Sequence, residues 1–410
     1  MASTVTTFDF ALKRRYTDKK VEDLTMEDKP FYAMVAKNTE FSGSATVVPL
    51  IHINAQGIAG STRAVAQTNQ TNVVGKTFLL TNGKYHGSVY IGDEVLEASR
   101  NNPGAFLDNK TAEVDSLYEQ MSQDLALYLY SNGGNALGRR ASISGNIVTL
   151  TNSSDVANFE VGMTVVASTG DGSDVSHALL TGSTTVASVE RSSGTVTLTS
   201  AAALLLFANN DYLFRQGDFF GNTGVVVMKG ISAYIWSSDA PPALYGMTRT
   251  SDPTRLAGCR VPSAETSGKS IEERLQLLGA WMTGVYRAPG PDALFLHPLD
   301  WQALAIALQS SGIRPLEDDS TRFGFNVLNW AVGGKTVKVY NDPFCPRNTG
   351  FALRMQHWRL HSMGKLLHPI EKDGLTLLRG AAVDEYEYRL ISYPVLECNA
   401  PGNNGRVGFS

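Results

Sequence analysis

The sequence predicts an α+β protein carrying one small all-β insertion, and three observations lead there. The stretch from Asn102 to Asn132 keeps a helical beat: Val114, Leu117, Met121, Leu125 and Tyr128 fall three or four apart, with Glu113, Asp115, Glu119, Gln120, Gln123 and Asp124 on other faces. Phe41–Gly92 before it and Arg139–Gln216 after it are glycine-rich and β-patterned. From Ser270 to Tyr340, helical and strand patterns alternate, as in an α/β unit.

Residues 1–40 hold a basic cluster (Lys13, Arg14, Arg15, Lys19, Lys20), then Asp23, Glu27 and Asp28, with few apolar residues before Phe31 to Val35. Such a composition builds no core of its own and reads as an arm lying on something else. In residues 41–92, Ala45 to Ile53 and Thr77 to Ile91 are rich in β-formers, while Asn54 to Gly75 is small and polar. That is a long hairpin with a polar tip, which needs a neighbour to lie across. Asn102-Pro103 and Gly133-Gly134 bracket the long helix with a cap and a left-handed stop; at ~1.5 Å per residue it reaches up to ~45 Å. In residues 139–216 the expected strands are Ile143 to Leu150, Met163 to Ala167, Thr184 to Glu190, Thr195 to Thr199 and Asp211 to Phe214, a small barrel or sandwich.

A connection at 217–228 includes the buried-strand run Val225 to Met228. Ser270 to Arg287 is a helix capped by Ser270, with Glu272 and Glu273 in its first turn. Asp292 to His297 reads as a strand, Pro298 to Gln309 as a helix entered through proline, and Thr336 to Tyr340 as a strand. Phe351 to His357, Arg359 to Leu367, Leu375 to Ala382 and Glu385 to Val395 read as β, and residues 401–410 as part of a polar glycine-rich tail.

Composition narrows the function. The 410 residues fit two or three compact units. Charged residues make up 18% and the net charge is −4, so nothing global marks a nucleic-acid or acidic-lipid binder. Cys259, Cys345 and Cys398 are an odd number at wide spacing and read as reduced structural thiols. Without a signal-peptide pattern or a run of ~20 apolar residues, the expectation is a soluble cytosolic product.

The chemical motifs fail one by one. Ser263 occupies the first-glycine position of a phosphate-loop pattern ending Gly268-Lys269-Ser270, and Gly334-Lys335-Thr336 leads into a strand instead of a helix. His357 and His361 lack a HExxH glutamate and sit in a β context, and His52, His86, His177, His297 and His368 are scattered. No G-x-S-x-G turn occurs, and Glu317-Asp318-Asp319 reads as a solvated loop. The expectation is no catalytic, cofactor-binding or metal-binding residue and no cofactor.

The order of parts resembles the major capsid protein of tailed bacteriophages, the family with the HK97-like fold. The resemblance rests on the arm, the loop at Phe41–Gly92 and the helix at Asn102–Asn132. It also rests on Asp292-Ala-Leu-Phe-Leu-His-Pro-Leu-Asp-Trp301, Gly334-Lys-Thr-Val-Lys-Val-Tyr340 and the closing run from Leu377 to Pro394. It implies an HK97-like capsid fold: N-terminal arm (1–40), extended loop (41–92) and peripheral domain with a spine helix (93–138). An inserted β domain (139–216), a peripheral connection (217–228), an axial domain (229–352), a peripheral return (353–400) and a C-terminal tail (401–410) follow.

The implied function is self-assembly through pentamers and hexamers into an icosahedral phage head around double-stranded DNA, without catalysis. It implies virion localisation after assembly in the host cytoplasm. Implied partners are a separate scaffolding protein, a portal, a protease or cement proteins, and DNA bound weakly and non-specifically; no membrane is involved. Arg14, Arg15, Arg63, Lys76 and Lys84 are the expected inter-subunit contacts. Some family members cross-link a loop lysine to an asparagine; Lys76 and Lys84 could supply the amine, but the matching turn at Glu371–Gly374 has no asparagine, so cross-linking is not expected. The rivals are an encapsulin-type compartment shell, disfavoured by the insert and the length, a metal-dependent hydrolase using His357 and His361, and a β-rich tail or adhesin subunit.

Overall fold

The computed structural model describes residues 29–41, 43, 45–93, 109–224, 227–310, 327–332, 335–371, 377–379 and 385–409. The long helix spans Asn109–Tyr130, about 33 Å. The expected start at Asn102-Pro103 lies outside the described residues. Its end comes two residues before Asn132: the Ser131 hydroxyl accepts from the Gly133 amide at 2.8 Å, and Gly133 takes φ +96°. Met121, Leu125, Tyr128 and Leu129 form its buried stripe, as the spacing predicts.

Before the helix, Pro30–Met34 forms one turn of helix, followed by β1 (Ala36–Asn38), β2 (Ala45–Ile53), β3 (Val74–Thr81) and β4 (Tyr85–Gly92). Two expectations are corrected. Thr77 to Ile91 is two strands in different sheets: β3 pairs with β2, and β4 pairs with a late strand. The chain turns at Asn82–Lys84, where a Cβ on Gly83 would sit 1.5 Å from the Val227 carbonyl oxygen, so only glycine fits. The polar tip also holds a short helix, Arg63–Thr68, whose cap Thr62 accepts from the Val65 amide at 3.4 Å.

After the helix come β5 (Gly138–Ser144), β6 (Ile147–Leu150), β7 (Thr164–Ser168), β8 (Thr184–Glu190), β9 (Thr195–Leu198) and β10 (Tyr212–Arg215). They close into a barrel in the order β10-β5-β6-β9-β8-β7. The expected strand Ile143 to Leu150 is in fact the β5–β6 hairpin, turning at Gly145-Asn146. Val148, Leu150, Val165, Ala167, Val186, Val196, Leu198 and Leu213 fill the barrel in an alternating inward pattern. Val225 and Val226 lie outside the described residues, and Val227 and Met228 are buried loop residues instead of a strand.

The second half builds a six-stranded sheet from β11 (Cys259–Arg260), β12 (Ala293–Leu296), β13 (Val327–Val332), β14 (Lys335–Asn341), β15 (Thr349–Leu353) and, from the far end of the sequence, β21 (Gly405–Gly408). The order is β11-β21-β15-β12-β14-β13. The helix Ile271–Ala280 runs on as a π-turn over Trp281–Val285, and Ser270 and Glu273 form a reciprocal capping box at its start. It packs with the helix Pro298–Ser310 on a core of Leu275, Leu278, Met282, Leu304 and Leu308.

The expected glycine-rich tail is corrected by β21. Val407 is buried inside this sheet, and Asn404 just before it is fully buried, its side chain bonded to the Arg354 amide (2.8 Å) and the Trp358 indole (2.9 Å). Two glycines in a four-residue strand hide its β character from propensity.

The remaining strands are β16 (Trp358–Ser362), β17 (His368–Pro369), β18 (Leu377–Arg379), β19 (Glu385–Ser392) and β20 (Pro394–Cys398). The expected β runs are shorter than read: Met355–His357 is a 3-10 turn, and β16 stops at Ser362. β1, β16 and β20 form a three-stranded sheet, while β4, β17 and β18 all pair with β19.

The main core lies where these layers meet. Phe31 packs edge-on to Phe295 and Trp358 and tilted against Tyr130, and its amide donates to Asp342 at 3.1 Å. The Tyr130 hydroxyl donates to the same carboxylate at 2.8 Å. One turn of helix from the arm thus joins the long helix, the six-stranded sheet and the three-stranded sheet.

Candidate assembly surface

The β2–β3 hairpin has two faces because its strands alternate. Val48, Leu50, Phe78 and Leu80 point into the main core of their own chain, with Phe78 edge-on to Tyr234 at 5.6 Å. Val47, Ile51, Ile53, Val74 and Leu79 point out and are exposed. On this outer face Val47 sits opposite Leu79; Ile53 and Val74 pair beyond a register shift after Ile51, and both are exposed there. Ile58, Val65 and Val73 extend the exposed apolar set to the tip. An isolated exposed valine is ordinary; a row of them along one hairpin face is not.

Charge on this element is sparse. Arg63 is the only Lys, Arg, Asp or Glu between Ala45 and Gly75, and it is exposed at the start of the tip helix. Lys76 turns inward to its own chain, donating to the Thr248 carbonyl at 2.6 Å and the Ser251 hydroxyl at 2.8 Å. Lys84 is exposed in the tight turn between β3 and β4. The structure therefore places Arg63 and Lys84 at opposite ends of the hairpin. Arg14 and Arg15 lie outside the described residues, as do Glu317-Asp318-Asp319 and residues 372–374 of the turn compared with a cross-linking site.

His357 and His361, the pair weighed as metal ligands, are engaged in holding the fold. His357 Nδ1 meets Asn399 Oδ1 at 2.7 Å and its Nε2 meets Asn403 Nδ2 at 3.1 Å, while His361 on β16 pairs with Glu397 on β20. His297 accepts from the Leu299 amide at 3.2 Å; burial and the nearby Arg347 push its imidazolium down to about 4, leaving it neutral at neutral pH. Cys259, Cys345 and Cys398 are buried free thiols, all with pKa raised by burial. Among the described residues no group of three His, Cys, Asp or Glu is placed to hold a metal ion, and no helix is long and apolar enough to cross a membrane.

Sequence reasoning missed the apolar outer face of the hairpin. It treated the β-formers as one class, whereas i, i+2 alternation along Val47-Val48-Pro49-Leu50-Ile51 puts apolar residues on both faces. That doubled pattern was the available signal.

No protein-family model and no curated protein matches the sequence. Solved structures do. The capsid protein of cyanophage A-1(L) is 12% identical, covers 95% of each chain and superposes with a TM-score of 0.53. The capsid protein of a native GTA particle is 7% identical over 97% of this chain and 95% of that one, with a TM-score of 0.50. The SrpI encapsulin of Synechococcus elongatus is 9% identical over 100% of this chain and 95% of that one, at 0.49. The chain has the fold of the cyanophage and GTA capsid subunits, the fold that the sequence resemblance anticipates.

Proposed function

We propose that this chain is the major capsid protein of a tailed phage, of the HK97-like family, and that many copies assemble into a closed shell around double-stranded DNA. One observation carries the reading: a hairpin whose inner face is already buried at home presents a second apolar face outward. Burying that face requires another molecule, and in a shell the other molecule is the next copy. Heterologous contacts whose rotation closes form rings, and repeated weak contacts add up to a stable assembly. The capsid fold supplies the rest of the argument.

In this reading residues 1–40 are the arm, 41–92 the extended loop, 93–138 and 217–228 the peripheral domain, 229–352 the axial domain and 353–400 the peripheral return. The barrel of residues 139–216 decorates the outer surface or bridges neighbouring capsomers. Arg63 and Lys84 contact the adjacent subunit, whereas Lys76 braces the hairpin on its own. The role is structural and non-catalytic. A separate scaffolding protein, a portal and protease or cement proteins act with it, and DNA is held weakly because a slightly acidic chain offers few counter-charges.

The test is negative-stain electron microscopy of the purified chain beside size-exclusion runs at several concentrations, with and without scaffold protein. Rings of five and six or closed shells support the reading, and shells that protect nucleic acid from nuclease separate a phage head from a protein-filled compartment. A monomer that stays monomeric at every concentration, scaffold included, overturns it.

A further inference from the structure

The barrel is joined to the rest of the chain by a buried polar network centred on Arg215. This residue ends β10 and reaches out of the barrel. Its guanidinium binds Asp124 of the long helix through both carboxylate oxygens, with Nη2 to Oδ1 at 2.9 Å, and Nη1 also donates to the Tyr85 hydroxyl at 2.8 Å. Tyr85, the first residue of β4, donates that hydroxyl to the same carboxylate, and Gln120 adds a fourth contact at 3.1 Å. Asp124 and Tyr85 are both buried.

A second arm of the network runs beside it. The Tyr85 ring meets the Tyr128 ring edge-on at 5.8 Å, and the Tyr128 hydroxyl donates to Asp218 at 2.5 Å. Asp218 follows the barrel by three residues, and its backbone carbonyl accepts from Asn135, in the segment entering the barrel, at 3.0 Å. Both chain crossings into the barrel are therefore tied to the same helix face.

We infer that Arg215 couples the barrel to the root of the hairpin, so that a displacement of the barrel is felt at β4 and a displacement at β4 is felt in the barrel. The reason is that one carboxylate serves both sides. A buried charge left by one partner pulls on whichever partner remains, because it has no water to turn to. At Asp218 burial raises the carboxyl pKa, and the Tyr128 hydroxyl and then the Arg215 charge oppose it, so the second acid is held by the same helix face. Coupling of this kind is reciprocal by thermodynamic necessity. The inference does not rest on shell formation; it concerns the single chain.

The experiment is native-state hydrogen exchange on the full chain, comparing the parent with Arg215→Met, Arg215→Lys and Tyr85→Phe. Arg215→Met should speed exchange of the β4 amides and of the helix around Asp124 by roughly tenfold or more, the scale of a lost charge-assisted hydrogen bond. Arg215→Lys should restore part of that protection, and the β8–β9 hairpin on the far side of the barrel should not respond. Tyr85→Phe keeps the shape and the fold, and should speed exchange in β10 although Tyr85 lies outside the barrel. Faster exchange confined to the barrel in Arg215→Met, or an unchanged β10 in Tyr85→Phe, overturns the inference. Should Arg215→Met fail to fold, the β10 result in Tyr85→Phe decides alone.

Discussion

Replacing Val47, Ile51 and Leu79 together by serine should block assembly and leave the single chain folded. All three sit on the outer face of the β2–β3 hairpin, exposed by 56%, 67% and 49%. Together they leave the equivalent of about 1.7 whole side chains in water, and covering them with a neighbour yields about 3–5 kcal/mol at roughly 1.5–3 kcal/mol per side chain. Serine removes that gain without adding charge. Since each 1.4 kcal/mol is tenfold in an equilibrium constant, the concentration needed for assembly should rise by about a hundredfold to a few thousandfold. Within the monomer a third to a half of each side chain is already covered, so unfolding should move by about 0.6–1.3 kcal/mol at each, less in total than the assembly loss. Light scattering against protein concentration gives the assembly threshold, and urea denaturation of the dispersed chain gives the stability. Assembly at the parental concentration would refute the reasoning, because the outer face would then be idle. A fall in monomer stability as large as the fall in assembly would refute it equally, since the face would then be serving its own subunit.

Two further outcomes follow from buried groups. Phe31→Ala empties a site bounded by Tyr130, Phe295 and Trp358 and should cost about 3–5 kcal/mol in denaturant unfolding; a loss under about 1 kcal/mol would mean that the arm is only laid on the surface. Asp155, in the 3-10 turn Ser153–Asn158 between β6 and β7, has its carboxyl pushed up to about 6 by burial, above the ordinary 3.8. The folded chain therefore holds a proton between about pH 4 and pH 6 that the unfolded chain has lost, so stability falls as pH rises through that window, by at most about 3 kcal/mol. Asp155→Asn should flatten the profile between pH 4 and 7.5, and an unchanged slope would assign the dependence to another group.

What could be read from the sequence was what repeats. The helix Asn109–Tyr130 announced itself through five apolar residues at helical spacing, and the Ser270 cap through Glu273 three residues on. The barrel was legible as short alternating strands. Two features were not. The break at Asn82–Lys84 is set by the Val227 carbonyl pressed against Gly83, a contact 144 residues distant in sequence that no local pattern records. Asp124 looked like a solvent-facing acid on the helix, because nothing in its neighbourhood points to Arg215 as its partner. Of the lysines and arginine read as inter-subunit contacts on the hairpin, Arg63 and Lys84 are exposed, while Lys76 is drawn inward by Thr248 and Ser251.

The place of β21 bears on when the subunit becomes usable. It lies between β11 and β15, yet residues 405–408 are synthesised after every other strand in that sheet. Until they arrive, the outer edge of β15 carries unpaired backbone groups, Asn404 has not reached Trp358, and the sheet is an open template. A growing chain of this design can fold its barrel early but cannot close the six-stranded sheet before residues 405–408 are made. A chain cut short before Gly405 would keep β15 as an open edge, exposed to pairing with another strand.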